Sequence, residues 1–395
     1  MIYLICCLSL TGLSQNSSAI VEGNNQFAFR FFREMSKTSG ENQFYSPFSI
    51  STALAMTYAG ARHETENQMG KIMGFQSGPG FHKGFRQLLN NLDKGMKGSI
   101  KLTIANGLWA QKDYKFLESN FDLVKTYYHA ELKSVDFTDT PERAKTLGEI
   151  NSWVEEKTNG KIQDILAPGD LTNFTRLVLV NAIYFYGEWA QPFMKEATVV
   201  KPFSTPDGTQ TNVPFMNRHG LLQYYEDSDF QAISIPYKDN KASMVIFLPV
   251  IDAGKPFVEK PFDYKYYQQI VESLKADQVN LSLPKFQTTC KSHLKNALTS
   301  MGMPLAFSPQ ADFSGMTGGN DLCISEVIHE AFIRTDEQGT EAAAATAVIM
   351  ALTAAPSSRK VKVFKADHPF IFCITDNTTG SILFMGRIVK PEFPK

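Results

Sequence analysis

The sequence predicts an α+β fold, with helices gathered in the first half of the chain and strands in the second. Three observations carry this expectation. Apolar residues recur at helical spacing from Asn24 to Ser36 and from Pro141 to Thr158; runs rich in β-branched and aromatic residues dominate after Leu177; and two pairs of those runs flank turn-forming residues as hairpins do. A doubly wound parallel sheet would instead alternate strand and helix along its length. No internal repeat, heptad array or Pro/Gly/Ser-rich tether divides the chain, so residues 16–395 are expected to form one domain.

In the first helical segment Phe27, Phe31 and Met35 stand four residues apart and share a face. In the second, Thr140 is the expected N-cap and Pro141 suits the first turn, where its missing N–H is not needed. Leu147, Ile150, Trp153 and Val154 form an apolar stripe, and Gly160 stops the helix. Leu177–Trp189 (LVLVNAIYFYGEW) and Val279–Phe286 (VNLSLPKF) each read as a strand. One hairpin joins AISIPYK to ASMVIFLP around Asp239 and Asn240, and another joins FIFCI to ILFMG across TDNTTGS.

The charge balance narrows the function classes. In 395 residues, 39 Lys and Arg face 40 Asp and Glu, for a formal net charge of -1. Such a chain has no strong field to draw nucleic acid or an anionic membrane, so neither is an expected partner. Residues Ile2–Leu13 are apolar but too few to span a bilayer, and they suit the core of a secretory signal over residues 1–15, although no Lys or Arg precedes them. An extracellular address is the expectation, with the cytoplasm as the alternative. Asn16, Asn173, Asn280 and Asn377 each begin a glycosylation sequon that secretion would expose to modification. Cys290, Cys323 and Cys373 are spaced too widely for a disulfide framework or a CxxC pair and read as buried free thiols.

Enzyme handles are missing. There is no G-x-S-x-G elbow, no GxxxxGK[ST] loop and no GxGxxG turn, and the seven histidines are scattered without HExxH or a metal-ligand pair. Neither a cofactor nor a metal is expected, and a hydrolase is the least favoured function.

The unusual segment is Gly339–Ser358, GTEAAAATAVIMALTAAPSS. Its alanines would suit a helix, but Glu341 is its one charge and leaves no solvated face. At period two it sorts cleanly, with Thr340, Ala342, Ala344, Thr346, Val348 and Met350 on one face and Glu341 with Ala343 and Ala345 on the other. A strand able to slide into an existing sheet needs this pattern, because bulky groups forced into packed interiors cost about 1–3 kcal/mol each.

Four blocks together resemble the serpin family. EQGTEAAAATA (Glu337–Ala347) is similar to the serpin reactive-loop hinge, and ADHPFIFCITDNTTGSILFMGRIVKP (Ala366–Pro391) to the C-terminal signature. FYSPFSISTALAMTYAGAR (Phe44–Arg62) and LVNAIYFYGEWAQPF (Leu179–Phe193) resemble the early serine-bearing and mid-chain asparagine-bearing motifs. The resemblance implies a serpin fold of three β-sheets with about nine helices and an exposed reactive-centre loop, here about residues 337–361. It also implies a mechanism. A protease cuts the loop and forms an acyl-enzyme, and the cut loop then enters the large sheet as a new strand, which carries the trapped protease away. The expected partner is a serine protease, and the chain is expected to be monomeric. No charge or proline breaks the hinge, as often happens in non-inhibitory members, so an inhibitor is favoured over a non-inhibitory binding scaffold.

The resemblance also assigns residues. The hinge is Glu337, Gly339, Thr340, Glu341, Ala342, Ala343, Ala344 and Ala345. By family spacing the scissile bond joins Thr353 and Ala354, and the small apolar residues of Met350–Pro356 suit elastase-like enzymes. Cleavage after Leu352 would instead suit chymotrypsin-like or papain-like cysteine proteases. Ser49, Asn181 and His329 match a hydrogen-bonded latch beneath the large sheet. Trp189, Lys285 and Glu337 match the region at its top where the loop goes in. His82, Lys83, Arg86, Lys94, Lys97 and Lys101 lie where some serpins bind a heparin-like glycosaminoglycan, but a solvated helix face is the favoured reading.

Overall fold

A computed structural model describes residues 15–37, 40–78, 80–96, 98–128, 130–251, 262–340 and 361–393. The first part of the chain holds α1 (Gln15–Ser36), β1 (Gln43–Tyr45), α2 (Pro47–Tyr58), α3 (His63–Met73), α4 (Phe81–Gly95), β2 (Ile100–Gln111), α5 (Glu118–Tyr128), β3 (Glu131–Val135) and α6 (Thr140–Lys157). Strands then dominate, with β4 (Leu177–Glu188), β5 (Val199–Ser204), β6 (Gln210–Glu226), β7 (Phe230–Pro236) and β8 (Ala242–Pro249). They are followed by α7 (Tyr264–Ser273), β9 (Lys275–Pro284), β10 (Phe286–His293), α8 (Leu294–Ser300), α9 (Ser314–Thr317) and β11 (Glu326–Thr335). The last strands are β12 (Gly339–Thr340), β13 (Lys362–Lys365), β14 (Phe370–Asp376) and β15 (Ile382–Ile388). This is the α+β arrangement expected, and no helix among the described residues is long and apolar enough to cross a membrane.

Three boundaries differ from the sequence expectation. The first helix begins at Gln15 rather than Asn24, because Asn24 and Asn25 are buried inside it and bond the chain near β15: Asn24 Nδ2 donates to Ile382 O, and Asn25 Oδ1 accepts from Ile382 N. In α6 the N-cap is Asp139, whose carboxylate accepts from Glu142 N at 2.8 Å, and Thr140 is already helical. Val279–Phe286 is not one strand. Pro284 closes β9, and after Lys285 the chain starts β10 in the other sheet; proline has no N–H to continue the first ladder.

One sheet has six strands in the order β10-β11-β12-β4-β2-β3. The other nine strands form one hydrogen-bonded network, β1-β15-β14-β8-β7-β6-β9-β13, with β5 on β6. β6 joins two groups of it, since Gln210–Phe215 face β5, Phe215–Tyr224 face β9, and Gln223–Glu226 turn to β7. The implied third sheet is therefore the β5, β6, β9 and β13 group. Both predicted hairpins form, as β7–β8 and β14–β15. Every residue of α2 is buried, where it packs on β15, β4 and β2. Ser46 caps it, accepting from Ser49 N at 3.0 Å, and Pro47 occupies the first turn. A second apolar layer beneath α6 is built on Trp109 and Trp153, 5.2 Å apart edge to face, with Ile150, Val154, Ile328 and Phe332.

Candidate functional site

The site is a gap at one end of the six-stranded sheet. β4 and β11 run parallel as neighbours from Val178 and Glu326 to Tyr184 and Phe332. Beyond that point they part, and β12 lies between them, with Thr340 opposite Gly187 on one side and Thr335 on the other. The chain reaches this position by reversing after β11. Asp336 N donates to Gly339 O at 2.9 Å, and Gln338 N donates to the Asp336 carboxylate at 2.9 Å. Glycine is needed at the turn because a Cβ on Gly339 would stand 2.1 Å from Gly187 O.

The reversed segment is held from several sides. Trp189 N donates to Gln338 O and its indole Nε1 donates to Asp336 O at 3.0 Å, while its ring stacks on Tyr237 with centroids 4.6 Å apart. Lys285 Nζ donates to Glu337 Oε2 at 2.9 Å, Thr198 Oγ1 donates to Glu337 Oε1 at 2.8 Å, and Phe193 N donates to the Glu337 carbonyl. Burial alone would raise the Glu337 carboxyl, but the bonds from Lys285 and Thr198 outweigh it and hold the group below its ordinary value. Thr340 is buried, and its Oγ1 lies 2.7 Å from the Tyr237 hydroxyl. Gly187 makes room for that tyrosine, since a Cβ there would sit 2.8 Å from the Tyr237 ring.

A polar row crosses the middle of the same sheet. Asn106 on β2, Asn181 on β4 and His329 on β11 are cross-strand neighbours. Asn181 Nδ2 donates to Ser49 Oγ, Ser49 O and Asn106 Oδ1, and its Oδ1 accepts from His329 Nδ1. His329 Nε2 accepts from Ser46 N at 3.1 Å, which places the single ring proton on Nδ1. Burial pushes this imidazole down to about 3, so it is neutral in ordinary conditions. The row ties the sheet to the first turn of α2.

Ser49 and His329 thus both bond Asn181, and Lys285 and Trp189 both bond the turn at 336–338, through Glu337 and the backbone respectively. Glu341 to Ala345, Leu352, Thr353 and Ala354 lie outside the described residues, as do residues 1–14 of the expected signal and Lys97. Among the basic residues of the α4 region, Lys83, Arg86, Lys94 and Lys101 are exposed, the first three around a recess of about 420 Å³ with Gln87 and Tyr127. His82 does not join them. It bonds the Tyr128 hydroxyl at 2.6 Å, and burial lowers it to about 4, which leaves it uncharged. Sequence reasoning missed Thr198, Tyr237, Asn106 and Ser46. Asn106 alone carried a signal, a polar residue within the apolar run TIANGLWA.

The alanine-rich segment thus begins inside this sheet, with Gly339 and Thr340 held between two of its strands. The family model described as "Serpin (serine protease inhibitor)" matches residues 22–391, and the chain belongs to the serpin family. It is similar to a leukocyte elastase inhibitor of Xenopus tropicalis, 40% identical over 92% of this chain and 97% of the relative. Human Serpin B4 is 36% identical over 95% of this chain and 100% of its own. Among solved structures, uncleaved ovalbumin matches with a TM-score of 0.83 and 30% identity, covering 94% of this chain and 100% of that one.

Proposed function

We propose that this serpin is a suicide-substrate inhibitor that traps a serine protease, elastase-like or chymotrypsin-like, as a covalent acyl complex, acting as a monomer. The observation that carries the reading is the paired placement of Gly339 and Thr340 between β4 and β11. The sheet is parted where the loop must go in, the first inserting side chain is seated, and Ala342 to Ala345 follow with nothing large or charged on the face that continues from Thr340. Lys285, Trp189 and Thr198 hold the root, and the Ser49–Asn181–His329 row controls how far the strands below can separate. By its spacing from Glu337 the scissile bond is Thr353–Ala354, and cleavage after Leu352 would extend the targets to chymotrypsin-like or papain-like enzymes.

We further propose secretion. The sequon at Asn173 sits in an exposed turn, whereas Asn377 Nδ2 is occupied by Asn240 and Ser243, so Asn173 is the better glycan acceptor. Mixing the purified protein with elastase and chymotrypsin tests the main reading. A band at the summed mass on a denaturing gel, with a released fragment starting at Ala354, is the expected result. Clean cleavage by both enzymes with no such band would make the chain a substrate and leave the binding scaffold as its role.

A further inference from the structure

A recess of about 360 Å³ opens beside the loop root, where the segment after β4 passes over β6 and β7. Ala190, Leu222, Pro236 and Ala276 give it apolar walls, and Arg218 is the cation that lines it. The Arg218 guanidinium lies over the Phe193 ring, 5.3 Å from its centroid, and its Nη1 donates to Gln191 O. Its Nε is buried without a partner, and among the described residues no carboxylate pairs with it. Burial alone draws this group down to about 10, which marks a cation with no opposing charge to restore it. A half-buried cation without a carboxylate partner is open to an anionic ligand, and a cleft that sets this one charge and the polar side chains of Gln223, Ser234 and Asn240 against apolar walls has the make-up of a small-molecule site.

We propose that this recess binds a small amphipathic carboxylate, its anionic group on the outer edge of the Arg218 guanidinium and its apolar body on Leu222 and Pro236. One cation matches one negative charge, and the planar guanidinium fits a carboxylate better than it fits a sphere. Gln191 lies between Trp189 and Phe193, both of which bond the loop root, so an occupant touches the segment that holds the mouth of the sheet. The site does not depend on the inhibitor reading.

Benzoate, with benzyl alcohol as its uncharged analogue, tests it by ligand-observed NMR on the full chain. Benzoate should bind at least tenfold tighter than the alcohol, about the value of one charge-assisted hydrogen bond. That preference should vanish in Arg218→Met and be kept in part by Arg218→Lys. Ala276→Phe, a change at an exposed rim position that leaves the charge in place, should abolish binding of both probes and keeps the test decisive if Arg218→Met does not fold. Equal binding of benzoate and benzyl alcohol, unchanged benzoate affinity in Arg218→Met or Ala276→Phe, or displacement of benzoate by inorganic phosphate at matched ionic strength would each overturn the proposal.

Discussion

At the scale of single residues, acid should loosen this protein through two buried groups. His329 is held neutral, with its folded value pushed down to about 3 from 6.5. The unfolded chain therefore takes up a proton below pH 6.5 that the folded one refuses, and stability falls as pH drops from there toward 3. Glu337 is depressed in the fold by Lys285 and Thr198. Its contribution is complete above the ordinary carboxylate value of 4.5 and is lost as pH falls through the lower folded value. Lys285→Ala strands this carboxylate and should cost about 1–3 kcal/mol at pH 7. Thermal melts of both proteins across pH 7 to 3.5 should show each midpoint falling below pH 6.5 and the gap between them narrowing below pH 4.5. A gap of constant size would mean that the ion pair does not hold the loop root.

Among the elements, β12 (Gly339–Thr340) is bonded to β4 on one side and β11 on the other. If the loop inserts as proposed, the Thr340 side chain leads it, and its size and charge decide whether more of the loop can follow. Thr340→Arg replaces a buried hydroxyl bonded to Tyr237 with a cation that must be buried or kept out. The variant should be cut by elastase at the wild-type rate while covalent complex falls by tenfold or more, read as the inhibitor-to-protease ratio needed for full inhibition. An unchanged ratio would remove Thr340 from the mechanism. This is also the scale at which the sequence was partly legible. Both hairpins followed from turn residues between apolar runs, and the α6 stripe from its spacing, because those signals are local. The split at Lys285 was not visible, since VNLSLPKF reads as one strand and only the different partners of its two ends separate them. Thr198 and Tyr237 were equally hidden, because what matters in each is a contact with a residue over a hundred positions away.

Across the whole molecule, the six-stranded sheet holds Gly339 and Thr340, and the sequence that follows them has residues that suit the same sheet. Insertion would run from the mouth at Thr340 down between β4 and β11, past the Asn181–His329 bond that now joins them. Each pair from Val178 and Glu326 to Tyr184 and Phe332 would exchange its present neighbour for the new strand. On the proposed mechanism, insertion after cleavage would start from the end where β4 and β11 already part. Hydrogen exchange on the protein cut at Thr353–Ala354 measures this directly. Amides of Glu341 to Leu352 should become protected to the level of β4 and β11 once the bond is cut. If they continue to exchange at the rate of an open chain while the bond is fully cleaved, the loop does not enter the sheet and the account of this serpin as an inserting inhibitor is wrong.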